Sequence, residues 1–192
     1  TERKSGQIVA ADFQYNARGQ MTAVTHPADG NGHRRLDVLT YHGAGPQAGY
    51  LASIAIDEPG VHLTASFEYD ARGNVTRIVD PRTNDWLYTY NALDQLVERR
   101  GAVYLDSGGA PRIAAQCFYD ANGRLIREDL ENRDAAGALN PTNSHVTTLL
   151  EYDALGRLTR LMEEEGIWFA FHTNEFAYDG NDRLVLARGP AA

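Results

Sequence analysis

Apolar and polar residues alternate along much of this chain with a period of two, interrupted by short polar breaks. Leu63, Ala65, Phe67 and Tyr69 fall on one side of a segment whose other side is Thr64, Ser66 and Glu68. Trp86, Tyr88 and Tyr90 oppose Leu87 and Thr89, and Ile167, Phe169 and Phe171 oppose Trp168, Ala170 and His172. Successive side chains of a strand point to opposite faces, so the pattern predicts half-buried β-strands. Val75 to Val79 and Leu158 to Leu161, which follow two of the breaks, read as the return strands. Helical spacing is weak: Glu128 to Leu139 and Leu161 to Glu165 could each supply a turn or two.

The breaks resemble one another. Six begin with Tyr followed by Asp or Asn: Tyr15-Asn16, Tyr69-Asp70, Tyr90-Asn91, Tyr119-Asp120, Tyr152-Asp153 and Tyr178-Asp179. Three residues after the Asp or Asn stands Gly19, Gly73, Gly123 or Gly156, or else Asp94 or Asp182. The repeats extend over about 13–25, 67–79, 88–99, 117–128, 150–161 and 176–187, with a degenerate seventh near Tyr41. A spacing of roughly 20 to 50 residues is that of a stacked array.

The motif has a physical logic. Asp70 takes the first corner of a type I turn, where its carboxylate accepts backbone N–H groups. Gly73 takes the last corner, where a left-handed backbone costs a residue without Cβ little. Such a loop joins antiparallel strands through a local bulge. Asp94 and Asp182 occupy the glycine corner at some cost, and a different, relaxed turn at Asp94 is the alternative. Each repeat is then turn, strand, turn, strand, and the fold class is all-β: antiparallel hairpin repeats in one sheet strip. Residues 28–64 and 129–146 break the pattern with Gly, Asn and Pro and read as long inter-repeat loops carrying edge hairpins.

Composition narrows the function classes. The 192 residues carry 26 acidic and 18 basic side chains, a net charge of −8 that disfavours nucleic acid as a partner. No apolar run reaches the roughly 18 residues of a membrane-spanning helix. The opening Thr1 to Gly6 has neither an initiator Met nor a signal-peptide core, so a piece of a longer polypeptide is expected. Cys117 stands alone, which rules out an intrachain disulfide; beside Phe118 and Tyr119 it reads as a small buried hydrophobe.

Candidate chemistry is sparse. Asp106-Ser107-Gly108 matches one lobe of an aspartic protease, whose reaction needs a second carboxylate loop that this chain lacks, so the segment reads as a turn. His26, His33, His42, His62, His145 and His172 show no metal-ligand spacing, and no cofactor fingerprint is present. Asp120-Ala121-Asn122-Gly123 opens like a calcium loop but lacks the glutamate at its twelfth position. Asn74-Val75-Thr76 is a glycosylation sequon that falls out of the repeat itself, and Glu163 to Glu165 reads as a solvated turn or bulge. The aromatic residues could stack on sugars, although at strand period they suit cross-strand pairs.

The recurring Tyr-Asp-x-x-Gly-Arg-Leu pattern, best at 69–78, 119–128 and 152–161, resembles the RHS/YD-repeat family over nearly the whole chain. That resemblance implies a β-strip spiralling into a hollow shell, as in bacterial polymorphic toxins, type VI effectors, toxin-complex subunits and teneurins. It implies a non-enzymatic wall segment of a secreted protein, whose partners are the remaining repeats of the shell and an enclosed C-terminal toxin domain. The family's self-cleaving segment has no match, because Asp80-Pro81 lacks the Gly-Leu that should follow. A recognition module for glycans or cell-surface proteins is the alternative. Isolated strand edges imply self-association.

Overall fold

The computed structural model describes residues 2–4, 7–58, 60–101, 113–134, 136–165 and 170–189. The expected alternation at Ile167, Trp168 and Phe169 and the Asp106-Ser107-Gly108 turn lie outside them. The strands are β1 (Glu2–Lys4), β2 (Gln7–Val9), β3 (Asp12–Tyr15), β4 (Met21–Ala28), β5 (Arg34–Tyr41), β6 (Leu51–Ile56), β7 (Leu63–Tyr69) and β8 (Val75–Val79). They continue with β9 (Asp85–Tyr90), β10 (Leu96–Gly101), β11 (Ile113–Tyr119), β12 (Leu125–Glu131), β13 (His145–Tyr152), β14 (Leu158–Glu164), β15 (Phe171–Tyr178) and β16 (Leu184–Arg188).

β1 and β2 form a ladder of their own, and β3 to β16 are hydrogen-bonded in chain order as a 14-stranded sheet without a crossover. The fold is all-β and antiparallel, with no helix among the described residues. Local hairpins suffice to build the 14-stranded sheet, because each of its strands pairs only with its neighbours in sequence.

Three expectations need correction. The stretch 28–64 is largely regular: β5 pairs with β4 on one side and β6 on the other, and β6 pairs with β7. Glu128 to Leu139 is no helix but the end of β12 and a tied loop, with Asn132 N–H bonded to the Ser144 carbonyl and Asn140 N–H to that of Asn132. Leu161 to Glu164 likewise continues β14, and within the acidic run Glu163 and Glu165 are exposed while Glu164 is buried.

The chain comprises two compact units, residues 1–87 and 88–192. Of the described residues, Ala23 is the buried apolar residue of the first unit, and Ala114 and Ala115 are those of the second. Among the described residues no large side chain is fully buried. Among the described residues, neither unit therefore packs a second layer on its strands in the way most domains do. Ladder hydrogen bonds and contacts between adjacent hairpins carry the structure.

Candidate functional site: the repeat turns and their joints

Counting Tyr as the first motif position, the second residue closes each turn by donating its N–H to the sixth residue's carbonyl. These bonds are Asn16 to Gln20, Asp70 to Asn74, Asn91 to Gln95, Asp120 to Arg124, Asp153 to Arg157 and Asp179 to Arg183, all 2.9–3.0 Å. The second side chain fills the turn: Asp120 Oδ1 accepts from the N–H groups of Asn122 and Arg124, both at 2.9 Å. Asn16 does the same for Arg18 and Gln20. The fifth residue is left-handed throughout, with φ +76° at Gly19, +93° at Gly73, +80° at Gly123 and +83° at Gly156. Asp94 (φ +60°) and Asp182 (φ +61°) share this geometry, so the turn at Asp94 is not a different, relaxed one. The bulge is present too, as a register shift just before Tyr15, Tyr69, Tyr119, Tyr152 and Tyr178.

Tyr41 occupies the same place. It pairs with Leu51 after a shift at Thr40, as Tyr15 pairs with Met21, and residues 42–50 replace the short turn. Three further turns use the same chemistry without tyrosine. Asp29, Asp80 and Asp134 each close a five-residue loop onto His33, Asn84 and Ala138, with Gly32 (φ +82°), Thr83 (φ +68°) and Gly137 (φ +82°) at the left-handed corner.

The joints between successive repeats follow one rule. The residue two after the seventh motif position lies opposite the residue three before the next tyrosine: Ala23 faces Val38, Ser53 faces Ser66 and Arg77 faces Leu87. In the second unit Glu98 faces Gln116, Arg127 faces Leu149 and Arg160 faces Glu175. With that register fixed, the tyrosine hydroxyl reaches back to the seventh carbonyl: Tyr41 to Met21 at 2.7 Å, Tyr119 to Leu96 at 2.8 Å and Tyr152 to Leu125 at 2.8 Å. Burial pushes the Tyr119 phenol above its ordinary pKa, which keeps that donor protonated.

The sixth residue reaches forward. Gln20 donates to the Gly49 carbonyl, Gln95 to that of Gly123, Arg124 to that of Asp153 and Arg157 to that of Asp179. The guanidinium groups of Arg124 and Arg157 also lie 5.0 and 4.9 Å over the rings of Tyr152 and Tyr178. Where the sixth residue is Tyr50, its ring sits 5.0 Å from that of Tyr69. These arginines also pin their own turns. The backbone N–H and guanidinium of Arg124 hold the Asp120 carboxyl below the usual carboxylate range, and those of Arg157 do the same for Asp153.

Residues 69–103 match the RHS Repeat family. That stretch is an RHS repeat, and the turn it carries at Asp70 recurs along the chain. No curated protein matches its sequence. Among solved structures it is similar to a chain of the crystal structure of TcdB2-TccC3-Cdc42, at a TM-score of 0.58 and 15% identity over 94% of its own length. It is also similar to a chain of TcdB2-TccC3, at a TM-score of 0.56 and 16% identity over 94%. The likeness shows a shared fold, and the chain spans only 10–11% of the length of those proteins.

Two of the repeats add a tie that the motif does not announce. Glu131 accepts the N–H of Ala114 at 2.8 Å and Glu164 that of Thr147 at 2.9 Å. Each glutamate lies twelve residues past its own tyrosine and each N–H five before it. Buried Asp129 is held by both arms of Arg127 and by the Thr147 hydroxyl.

The histidines are scattered among the repeats. His26 bonds Asp37 at 2.6 Å, His42 bonds the Phe67 carbonyl, and His62 and His172 pair with Glu58 and Glu165. Among the described residues no cluster of His, Cys, Asp or Glu is placed to hold a metal. Cys117, on β11, is partly covered, and burial pushes its thiol up. Asn74 of the sequon donates its amide to Asp70 at 3.0 Å within the repeat turn.

Proposed function

We propose that this chain is a wall segment of a large exported bacterial RHS/YD protein whose shell encloses a toxin or effector domain. The carrying observation is the joint. One register links each repeat to the next, with tyrosine and sixth-position contacts recurring at several of the joints, so repeats add without needing a closed core. The turn residues from Tyr15-Asn16 to Tyr178-Asp179 are, on this reading, structural and not catalytic. Partners are further repeats at the strand edges and the enclosed domain, outside the cell. The similarity in fold to the TcdB2-TccC3 chains supports this reading.

The test is an electron-microscopic reconstruction of the full-length gene product, combined with protease challenge. The expected result is a hollow wall in which these repeats are continuous with others and protect an internal domain from cleavage. An open strip, with every other domain freely digested, overturns the proposal.

A further inference from the structure

Three turns share one layout at their tips. Asn31, Asn122 and Asn181 each stand two residues after a turn aspartate, and each donates its main-chain N–H to that aspartate's carboxylate at 2.8–2.9 Å. All three are exposed, and among the described residues none of their carboxamides makes a hydrogen bond. Other turn asparagines are held. The carboxamides of Asn16 and Asn91 donate to Gln20 and Gln95, and those of Asn74 and Asn84 to Asp70 and Asp80. What separates the three free tips is the next residue: Gly32, Gly123 and Asp182, all of them left-handed.

We infer that Asn31 and Asn122 are sites of spontaneous deamidation, and that at Asn122 the product opens the joint between two successive repeats. The main-chain nitrogen of the following residue gives its proton to solvent base and attacks the asparagine Cγ. A bond forms from that nitrogen to Cγ, the bond from Cγ to the side-chain nitrogen breaks, and ammonia leaves with a proton returned by solvent. Water then opens the resulting five-membered imide at one carbonyl or the other. One product is aspartate; the other is isoaspartate, whose main chain is one methylene longer. Nothing is oxidised or reduced. A glycine successor turns freely and has no Cβ beside the attacking nitrogen, whereas Asp182 carries a Cβ and a carboxylate tied to Arg157. The N–H groups of Gly32 and Gly123 are bonded to the Asp29 and Asp120 carbonyls at 3.0 Å, so each turn opens locally before the attack.

The consequences differ between the two sites. The Gly123 carbonyl accepts Nε2 of Gln95 at 3.2 Å, which is the sixth-position contact from the preceding repeat. An extra methylene between residues 122 and 123 displaces that carbonyl and also breaks the Gly123 bond to Asp120. Gly32 closes only its own turn, and among the described residues no side chain reaches its carbonyl. Modification at Asn31 therefore adds a charge and leaves the joints in place. This goes beyond the wall-segment proposal and stands without it, since it concerns only the chemistry of two turn tips.

Peptide mapping by mass spectrometry of the folded protein, aged at neutral and at mildly alkaline pH, tests the sites. Amide-to-acid conversion should appear at residues 31 and 122, rise with pH, and lag well behind at residue 181. Labelling with an isoaspartate methyltransferase should mark residue 122. Chemical denaturation of the same samples, each compared with its own fresh preparation, tests the joint. The parent's midpoint should fall as the modified fraction at residue 122 grows. Asn122→Gln, whose longer side chain forms the imide far more slowly, should hold its midpoint, and Asn31→Gln should lose it as the parent does. Residues 31 and 122 left intact, conversion indifferent to pH, or residue 181 converted as fast overturns the assignment of the sites. A product at residue 122 that is aspartate alone, an unchanged parent midpoint, or an aged Asn122→Gln that loses stability like the parent overturns the opened joint.

Discussion

The guanidinium of Arg124 lies 5.0 Å over the ring of Tyr152, whose hydroxyl donates to the carbonyl of the next residue, Leu125, at 2.8 Å. Arginine and tyrosine thus grip one another's backbone across the joint, since Arg124 also donates to the carbonyl of Asp153. In a sheet without a thick core, such contacts do the work that apolar burial does elsewhere. Tyr152→Phe removes the hydrogen bond and leaves the stacked ring in place. It should cost about 1 kcal/mol in chemical denaturation. Tyr178→Phe is the internal control: its ring is covered by Arg157, but its hydroxyl has no partner among the described residues, and its cost should be near zero. Equal costs would mean that the hydroxyl bond contributes nothing.

The glycine corners differ in what surrounds them. A Cβ at Gly73 would come within 2.7 Å of the Tyr50 hydroxyl and 3.0 Å of its ring, whereas at Gly156 the nearest atom is Nη1 of Arg124 at 3.8 Å, an ordinary van der Waals contact. Both positions have positive φ, so Val is strained at either, by about 1–3 kcal/mol. Gly73→Val should be the worse of the two because it also displaces Tyr50 from Tyr69. Denaturation curves rank them, and a larger loss at Gly156 would contradict the packing described here.

Thr83 is exposed and left-handed at φ +68°, a conformation that a β-branched residue adopts at a cost. Its N–H closes the turn on Asp80, and glycine keeps that bond. Thr83→Gly should therefore stabilise the chain by about 1 kcal/mol, the relieved strain exceeding the entropy of a freer unfolded chain. A rise in the denaturation midpoint is the expected reading; a fall would show that the corner is not strained.

The strands beside intact motifs were legible because their information is local: alternation at 63–69 and the Asp-x-x-Gly corner at 70–73 state both the strand and the turn. Tyr41 was obscured because residues 42–50 replace its short turn, which made two interior strands look like loop. The turn at Asp80 was hidden by Pro81 and by threonine in the glycine corner. The joints could not be read at all. The sixth-position arginines look like surface charges until strand register brings the next tyrosine beneath them. Glu131 and Glu164 were misread for a related reason. Their runs look helical or solvated until pairing places the N–H groups of Ala114 and Thr147 within reach of their carboxylates.

The turn aspartates also set the response to acid. Asp29, Asp70, Asp80, Asp120, Asp153 and Asp179 all have carboxyls held below the ordinary range by backbone N–H groups and, in five of the six, by a side chain at the sixth position or its equivalent. Their folded pKa values lie below the unfolded ones, so the unfolded chain takes up protons first as pH falls. The stability they supply is complete above the unfolded Asp value of about 3.9 and is lost as pH drops through the folded values. Asp120→Asn isolates one of them. The amide oxygen can keep the turn, as Asn16 does with Arg18 and Gln20, but the ion pair with Arg124 is lost. The variant should be less stable than the parent at neutral pH, and the gap should begin to close below the unfolded Asp value of about 3.9 and vanish once pH has passed through the lowered folded value of Asp120. Its acid unfolding should consume about one proton fewer. Denaturation at a series of pH values measures both, and a gap independent of pH would show that the Asp120 charge contributes nothing to the turn.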